Sequence, residues 1–359
     1  MQRIDAHYHM TRTARFVRYE NLEDMLEYKK QAGLSAICVH NIVFWDTKRY
    51  LLNPLALLAK VKDPQGVYAF GGIVYPELED QWKPHAYEKQ AEELLKMGFD
   101  GIKILNKPSF KKEWQIPYCH ENFDGFWGYL EEKQVPVMFH IGDPKEFWKL
   151  DRVPKAIYDL GWYYDKDCTP YAFFYEETEG ILKKFPKLNL TIPHFYFLSD
   201  DLKRLDEFMQ AYPQIRIDIT PGSEMYYNFS ICQDAARDFF LKYQDRILFG
   251  TDNYGSQTEG GREAQIQKGI KRIEDMEAFL SQEFPIFEGE RLRGLALPEN
   301  VQEKIQAKNF LNWIAGAPRK VDEAYMVQMT KELYERAKQK ADSPDSLAEF
   351  EKALHEMQA

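Results

Sequence analysis

The sequence predicts an α/β protein: a (β/α)8 TIM barrel with a C-terminal helical extension. Three observations lead there. Eight short apolar segments alternate with helix-length material, the pattern of parallel strands joined by crossovers. The chain of 359 residues holds the roughly 250 that such a barrel needs, with a remainder for appendages. The competing architecture, a doubly wound open sheet, would carry a Gly-rich phosphate turn after an early strand, and the sequence has none.

The first strand is Arg3-Ile4-Asp5-Ala6-His7. A helix follows in which Leu22, Met25, Leu26 and Ala32 repeat at helical spacing, and Gly33 ends it. The second strand spans 36–40 and the third 67–74. The next helix puts Ala91, Leu94 and Leu95 on one face and stops at Gly98. The fourth strand is Gly101-Ile102-Lys103-Ile104-Leu105, the fifth spans 135–141 and the sixth 189–194. Ser199 or Asp200 is expected to cap a helix that buries Leu202, Leu205, Phe208 and Met209. The seventh strand spans 215–219 and the eighth 246–252. After Pro318 the pattern changes. Val321, Tyr325, Met329 and Leu333 recur at four-residue steps, and Ser343-Pro344 reads as a cap followed by Pro at the first helical position. Residues 1–317 are therefore expected to form the barrel and 318–359 two helices added to its outside.

Composition excludes several classes. With 44% hydrophobic and 29% charged residues the chain is globular rather than disordered. A net charge of −10 argues against nucleic acid as the partner, because phosphate binding needs a basic face. No apolar run is long enough for a membrane span. The N-terminus enters a strand-like segment directly, so no signal peptide is expected. Cys38, Cys119, Cys168 and Cys232 form no CxxC pair and are expected as reduced thiols, which points to the cytoplasm.

Two connections are long, and both follow barrel strands, so both belong at the face where barrel enzymes keep their chemistry. The segment 142–187 is rich in aromatic residues, among them Phe147, Trp148, Trp162, Tyr163 and Tyr164. It reads either as core that buries an insertion or as a lid whose rings, Trp162 and Tyr164 included, wall a substrate. The segment 253–298 is more polar.

Chemistry-bearing residues gather at strand ends. His7 and His9 are two residues apart on a strand and share one side, an arrangement suited to a divalent metal. His140 closes the fifth strand, His194 the sixth and Asp252 the eighth. Chance would scatter such residues over helices and loops.

The motifs Ile4-Asp5-Ala6-His7-Tyr8-His9, Phe139-His140-Ile141-Gly142-Asp143-Pro144, Pro193-His194 and Phe249-Gly250-Thr251-Asp252 resemble the amidohydrolase superfamily. The similarity is strongest to its amidohydrolase-related branch of metal-dependent hydrolases and decarboxylases. Lys308-Asn309-Phe310 is similar to the closing Gly-Asn-Ala motif, with Gly and Ala replaced. The resemblance covers residues 1–315 and implies a distorted barrel with a divalent metal on His7, His9, His140 and Asp252. It implies for His194 a place as further ligand, acid/base or polarising group. Zn2+ is the expected metal, though these ligands suit Mn2+ and Fe2+ as well.

With three neutral imidazoles and one carboxylate, an M2+ site carries a net charge of about +1 and favours an activated water. The expected activity is hydrolysis of a small-molecule amide, ester or lactone, with Asp252 as base and His194 as proton carrier. A non-hydrolytic decarboxylase of a small unsaturated or aromatic acid is the alternative, and a barrel that binds without turnover is a third. Lys103, at the end of the fourth strand, is read as a substrate-anion contact, a structural ion pair or a carboxylated bridge between two metals. His40 is expected to be structural. Asp143 is a candidate to orient a ligand imidazole, or a loop cap. Arg216 and Asp218, on one face of the seventh strand, are expected to pair with each other, and His85, His120 and His355 to lie at the surface. The expected partners are a small-molecule substrate and, as the commonest closed assembly, a second copy of the chain.

Overall fold

The computed structural model of the chain describes residues 2–11, 17–222, 224–256, 258, 260–340 and 342–358. Nine parallel strands form one curled sheet: β1 Ile4–His9, β2 Ala36–His40, β3 Val67–Gly72, β4 Gly101–Asn106, β5 Val137–Ile141, β6 Leu190–Ile192, β7 Arg216–Asp218, β8 Ile247–Leu248 and β9 Asn253–Tyr254. Their order in space is β8-β7-β6-β5-β4-β3-β2-β1-β9. From β1 to β8 each strand pairs with its neighbour in the chain. β8 and β9 belong to one stretch of chain interrupted at 249–252. β8 pairs with β7 and β9 pairs with β1, so the sheet comes round on itself. Across that seam the Ala6 amide donates to the Phe249 carbonyl (2.9 Å) and the Asp252 amide to the His7 carbonyl (2.8 Å).

Two strand boundaries differ from expectation. β6 ends at Ile192, and His194 opens an irregular turn instead of closing the strand. The eighth strand breaks after Leu248, so Asp252 stands in the break rather than at a strand end. The cap of the helix Leu202–Ala211 is Asp201, whose carboxylate accepts from the Arg204 amide at 3.2 Å, not Ser199 or Asp200. Gly33 and Gly98 end their helices with φ of 62° and 112°, values that a residue without Cβ adopts freely.

The interior of the cylinder is a core of its own. Ile4, Ala6, Ala36, Cys38, Tyr68, Phe70, Met138 and Leu248 fill it from the strands, and Phe310 and Trp313 plug it from below. The plug is held by Asn309, whose side-chain amide donates to the Gln244 and Ile247 carbonyls, each at 2.7 Å. A bulge in β1 separates this core from what lies above it. Asp5 pairs with Ile37 and Tyr8 with Val39, three steps against two. The extra residue reverses the alternation: Ile4 and Ala6 face the interior core, whereas Tyr8 turns outward to stack on Tyr28. His7 and His9 are thereby aimed into the barrel.

The two last helices, Glu323–Gln339 and Pro344–Gln358, form a hairpin on the outer face against the helix Leu52–Lys62. The first helix buries Met326, Thr330 and Ala337 and the second Ser346, Phe350 and Ala353, and the predicted Tyr325, Met329 and Leu333 pack beside them. Ser343 caps the second helix by accepting from the Ser346 amide at 3.2 Å. The four cysteines are free. Among the described residues no helix is long and apolar enough to cross a membrane.

Candidate active site

At the carboxyl ends of the strands, three side chains from the two sides of the seam meet. His7 Nε2 and His9 Nε2 lie 3.2 Å apart. An Asp252 carboxylate oxygen is 3.3 Å from His9 Nε2 and 3.9 Å from His7 Nε2. The other ring nitrogens are committed. His9 Nδ1 is 2.7 Å from the His40 carbonyl, which can only accept, so Nδ1 carries the proton. His7 Nδ1 is 2.8 Å from Asp218 Oδ2. Lys103 Nζ lies 3.2 Å from His7 Nε2. An ammonium can only donate, so Nε2 of His7 is a lone pair as well. With His9 in its neutral form, two lone pairs face each other beside a carboxylate. That arrangement is repulsive unless a cation lies between them.

Its dimensions suit one. Donors at 2.0–2.2 Å from a tetrahedral ion are about 3.4 Å from one another, and the three separations here bracket that figure. His7, His9 and Asp252 are the group of potential ligands that the described residues bring within mutual reach.

The backbone is shaped to deliver these side chains. Asp5 accepts from the Thr251 amide and hydroxyl (3.0 and 2.6 Å), the His7 amide (3.2 Å) and the Tyr28 hydroxyl (3.3 Å). It thus pins both β1 and the break that carries Asp252. Burial nevertheless pushes its carboxyl up to about 7. Gly250 is required by close approach, since a Cβ there would meet the His7 Cβ at 2.6 Å. Asp252 has φ of 51°. His194, Phe195, Tyr196 and Phe197 are all left-handed, with φ between 51° and 56°. Each such residue costs roughly 1–2 kcal/mol relative to a right-handed turn, strain of the kind that gathers at functional sites.

Electrostatics follows from burial. Burial holds His7 well below the usual imidazole range, and Lys103 adds to the effect. It does the same to His140, with His194 adding, and lowers His194. For Asp252 burial raises the carboxyl, but the His9 and His7 side chains beside it outweigh that and hold it well below the carboxylate range. The centre thus sets a His7 ring held neutral beside an ionised Asp252, whose side chain is 38% exposed.

The other predicted residues are placed differently. His140 does not join the three. Its Nε2 donates to the Gly142 carbonyl at 3.0 Å, which leaves Nδ1 as its lone pair, and its ring contacts His194 at 4.9 Å between centroids. His194 is held by Nδ1 to the Thr220 carbonyl at 3.2 Å, so its Nε2 is an acceptor in the neutral ring. Asp143 does not orient His140, from which it is 3.9 Å away. Its carboxylate takes the Tyr164 hydroxyl at 2.6 Å and stands 3.6 Å from Lys107. Lys103 is buried and forms no ion pair among the described residues. Burial lowers its ammonium to about 8, against the charges of Asp252 and Asp218. Trp162 is half-buried with Lys107 Nζ 3.7 Å above its ring. Tyr164 is buried against Trp148. His40 is buried and donates Nε2 to the Ala6 carbonyl. His85 and His120 are partly covered and His355 is exposed.

The expected Arg216–Asp218 pair does not form. Arg216, at the amino end of β7, donates to Asn189 Oδ1 (3.1 Å) and the Gln214 carbonyl (3.3 Å). Asp218, two residues and about 6.6 Å further along the strand, reaches His7 instead. Asp218 and Lys107 are the residues that sequence reasoning missed. The signal for Asp218 was present: an acid at the carboxyl end of a barrel strand.

A parallel barrel with a histidine–carboxylate centre at the carboxyl ends of its strands is the architecture of metal-assisted barrel enzymes. The chain matches the amidohydrolase family model over residues 4–356 and belongs to that family. Members of the family generally use a divalent metal and act on small molecules, and they include hydrolases and decarboxylases. A search of the curated proteins gives no match. Among solved structures, 5-carboxyvanillate decarboxylase from Sphingomonas paucimobilis is similar, with a TM-score of 0.52 and 11% identity over 88% of this chain and 99% of the other. The 2,6-dihydroxybenzoate decarboxylase from Rhizobium gives 0.51 and 15% over 88% and 99%. A probable 2-pyrone-4,6-dicarboxylic acid hydrolase from Acinetobacter baumannii gives 0.50 and 12% over 88% and 100%. At these identities the likeness is one of fold.

Proposed function

We propose that the chain is a metal-dependent hydrolase of a small-molecule amide, ester or lactone, its cation held by His7, His9 and Asp252, with His140 as the next ligand out through Nδ1. The observation that carries this reading is the meeting of two imidazole lone pairs and a carboxylate oxygen at one point, at separations that suit a single ion. The chemistry a divalent metal, Zn2+ first and Mn2+ or Fe2+ next, brings to such a centre is Lewis acidity toward a water and a carbonyl oxygen.

Asp252, ionised and facing the mouth, accepts the proton of the attacking water. His194 presents Nε2 as an acceptor, so it takes over the proton that Asp252 removes from the water and passes it to the leaving group. With Nε2 of His7 committed to a cation, the Lys103 ammonium loses its acceptor and turns to a substrate oxyanion or carboxylate. Trp162 and Lys107 line the mouth above it, while Tyr164 supports that wall from behind through Asp143. The free thiols fit a reducing compartment, the cytoplasm in this reading.

A second reading is decarboxylation of a small unsaturated or aromatic acid. One observation favours it: the side of the site formed by β4 and the residue after it carries two ammonium groups, Lys103 and Lys107, suited to a carboxylate. Two of the similar structures are decarboxylases of aromatic acids.

Elemental analysis of the purified protein tests the common ground. One divalent ion per chain is expected, with turnover lost on chelation and restored by the ion. A fully active metal-free protein overturns both readings. Turnover in 18O-labelled water then separates them, since hydrolysis puts the label into the organic product, whereas decarboxylation releases CO2 and leaves the organic product unlabelled.

A further inference from the structure

Asp218 is fully buried at the carboxyl end of β7, and both its oxygens are turned to the centre or to the turn beside it. Oδ2 lies 2.8 Å from His7 Nδ1. Oδ1 accepts the His194 amide at 2.8 Å and the Thr220 amide at 3.0 Å. Thr220 carries the arrangement further, for its carbonyl takes the Nδ1 proton of His194 and its hydroxyl lies 3.3 Å from His7 Nδ1. The Lys103 ammonium, 3.2 Å from His7 Nε2, admits no proton on that nitrogen. The proton of the neutral ring is therefore on Nδ1, and Asp218 is the acceptor that keeps it there.

We propose that Asp218 is a positioning residue for the metal centre: it fixes His7 as the Nδ1–H tautomer, aims its Nε2 lone pair at the point shared with His9 and Asp252, and anchors the left-handed turn that carries His194. The inference rests on the metal reading of the site. A carboxylate behind a ligating imidazole holds its orientation and raises its basicity, and loss of such a partner weakens metal binding about 10–100-fold. His9 is oriented by a backbone carbonyl, which substitution of the His40 side chain leaves in place. His7 alone of the two depends on a side chain that mutation can change.

In Asp218→Asn, the amide oxygen keeps the contact with the two backbone amides and the NH2 group is turned toward His7 Nδ1. That donor opposes a proton on Nδ1, so the tautomer that aims the Nε2 lone pair at the shared point loses its support. Zn2+ affinity is measured by competition with a chromophoric chelator, for wild type and variant, with melting temperature in parallel. The expected result is affinity at least about tenfold weaker in the folded variant. Affinity within twofold of wild type overturns the inference and leaves the metal reading intact. A wild-type protein that takes up no Zn2+, Mn2+ or Fe2+ overturns the metal reading itself. Should the variant not fold, long-range 1H–15N correlation spectra of 15N-histidine-labelled, metal-free wild type decide the matter, with residue 7 assigned by its disappearance in His7→Gln. An Nδ1–H pattern for residue 7 supports the inference, and an Nε2–H pattern overturns it.

Discussion

The two ends of the barrel interior are built from the same strands and share almost no chemistry. At the amino end Ala6, Cys38, Phe70, Met138 and Leu248 close on Phe310 and Trp313. One to four residues further along, β1, β2, β5 and the break after β8 present His7, His40, His140 and Asp252. The lower half is apolar and tolerates no gap. The upper half consists of polar groups, most of them buried and several held by a partner on another strand, as His7 is by Asp218 and His40 by the Ala6 carbonyl. One end of each strand holds the fold together and the other end holds the chemistry, so substitutions a few residues apart are expected to fail in different assays.

The sharpest form of the contrast is Asp252→Asn against Trp313→Ala. Asp252→Asn keeps the shape of the break after β8 and removes the charge and the base. Turnover is expected to fall by about 10^2–10^4-fold, the range for loss of a general base, with a melting temperature within a few degrees of wild type. Near-normal turnover would remove Asp252 from the mechanism. Trp313→Ala empties part of the plug, and truncation of a buried aromatic costs about 3–5 kcal/mol. It is expected to lower the melting temperature by several degrees and leave metal stoichiometry unchanged. Loss of metal without loss of stability would mean that the two ends are coupled.

Acid should expose the upper half first. Burial keeps His7, His40, His140 and His194 below the usual imidazole value. In the unfolded chain each takes a proton below about 6.5 that the folded ring refuses, so stability falls as pH drops from about 7 toward 5. Asp5 works the other way. Pushed up to about 7, it holds a proton in the folded state across a window where the unfolded carboxyl, near 3.9, does not. Asp143 and Asp218, whose carboxyls burial also raises, act in the same direction as Asp5 and with it offset part of what the four rings lose, so a lower melting temperature at pH 5.5 than at 7.5 is expected for the metal-free protein. A flat profile would show that the rings take up protons while folded.

How much of this could be read in the chain follows the same division. The strands were legible because apolar runs bounded by Gly and Pro are local signals, and His7, His9 and Asp252 were legible as strand-end residues. What escaped depends on geometry that no local pattern encodes. Asp218 shares a strand face with Arg216, and sequence alone pairs them. In the structure they sit at opposite ends of β7, where Arg216 reaches Asn189 just before β6 and Asp218 reaches His7 on β1. The left-handed turn at 194–197 shortened β6, and the break before Asp252 shortened β8. Both are strained conformations that propensity argues against. The bulge in β1, which turns His7 and His9 inward above an apolar core, leaves no mark in a run of alternating residues.

The aromatic insertion 142–187 carries the same contrast at smaller scale. Tyr164 is buried, with its hydroxyl on Asp143 and its ring on Trp148. Burial and Asp143 both push its phenol up, so it stays a neutral donor. Trp162, two residues earlier, is half-buried and covers the Lys107 ammonium at the mouth. Tyr164→Phe removes a donor from a buried carboxylate and should cost about 1–3 kcal/mol of stability, with the Michaelis constant unchanged. Trp162→Ala uncovers Lys107 and widens the mouth. It is expected to raise the Michaelis constant several-fold, on the order of the 0.5–2 kcal/mol of a cation–π contact, with little change in melting temperature. Reversal of the two results would place the substrate wall behind Asp143 instead of above Lys107. The lid and core readings of this segment would then exchange residues: Tyr164 would line the substrate and Trp162 would hold the fold.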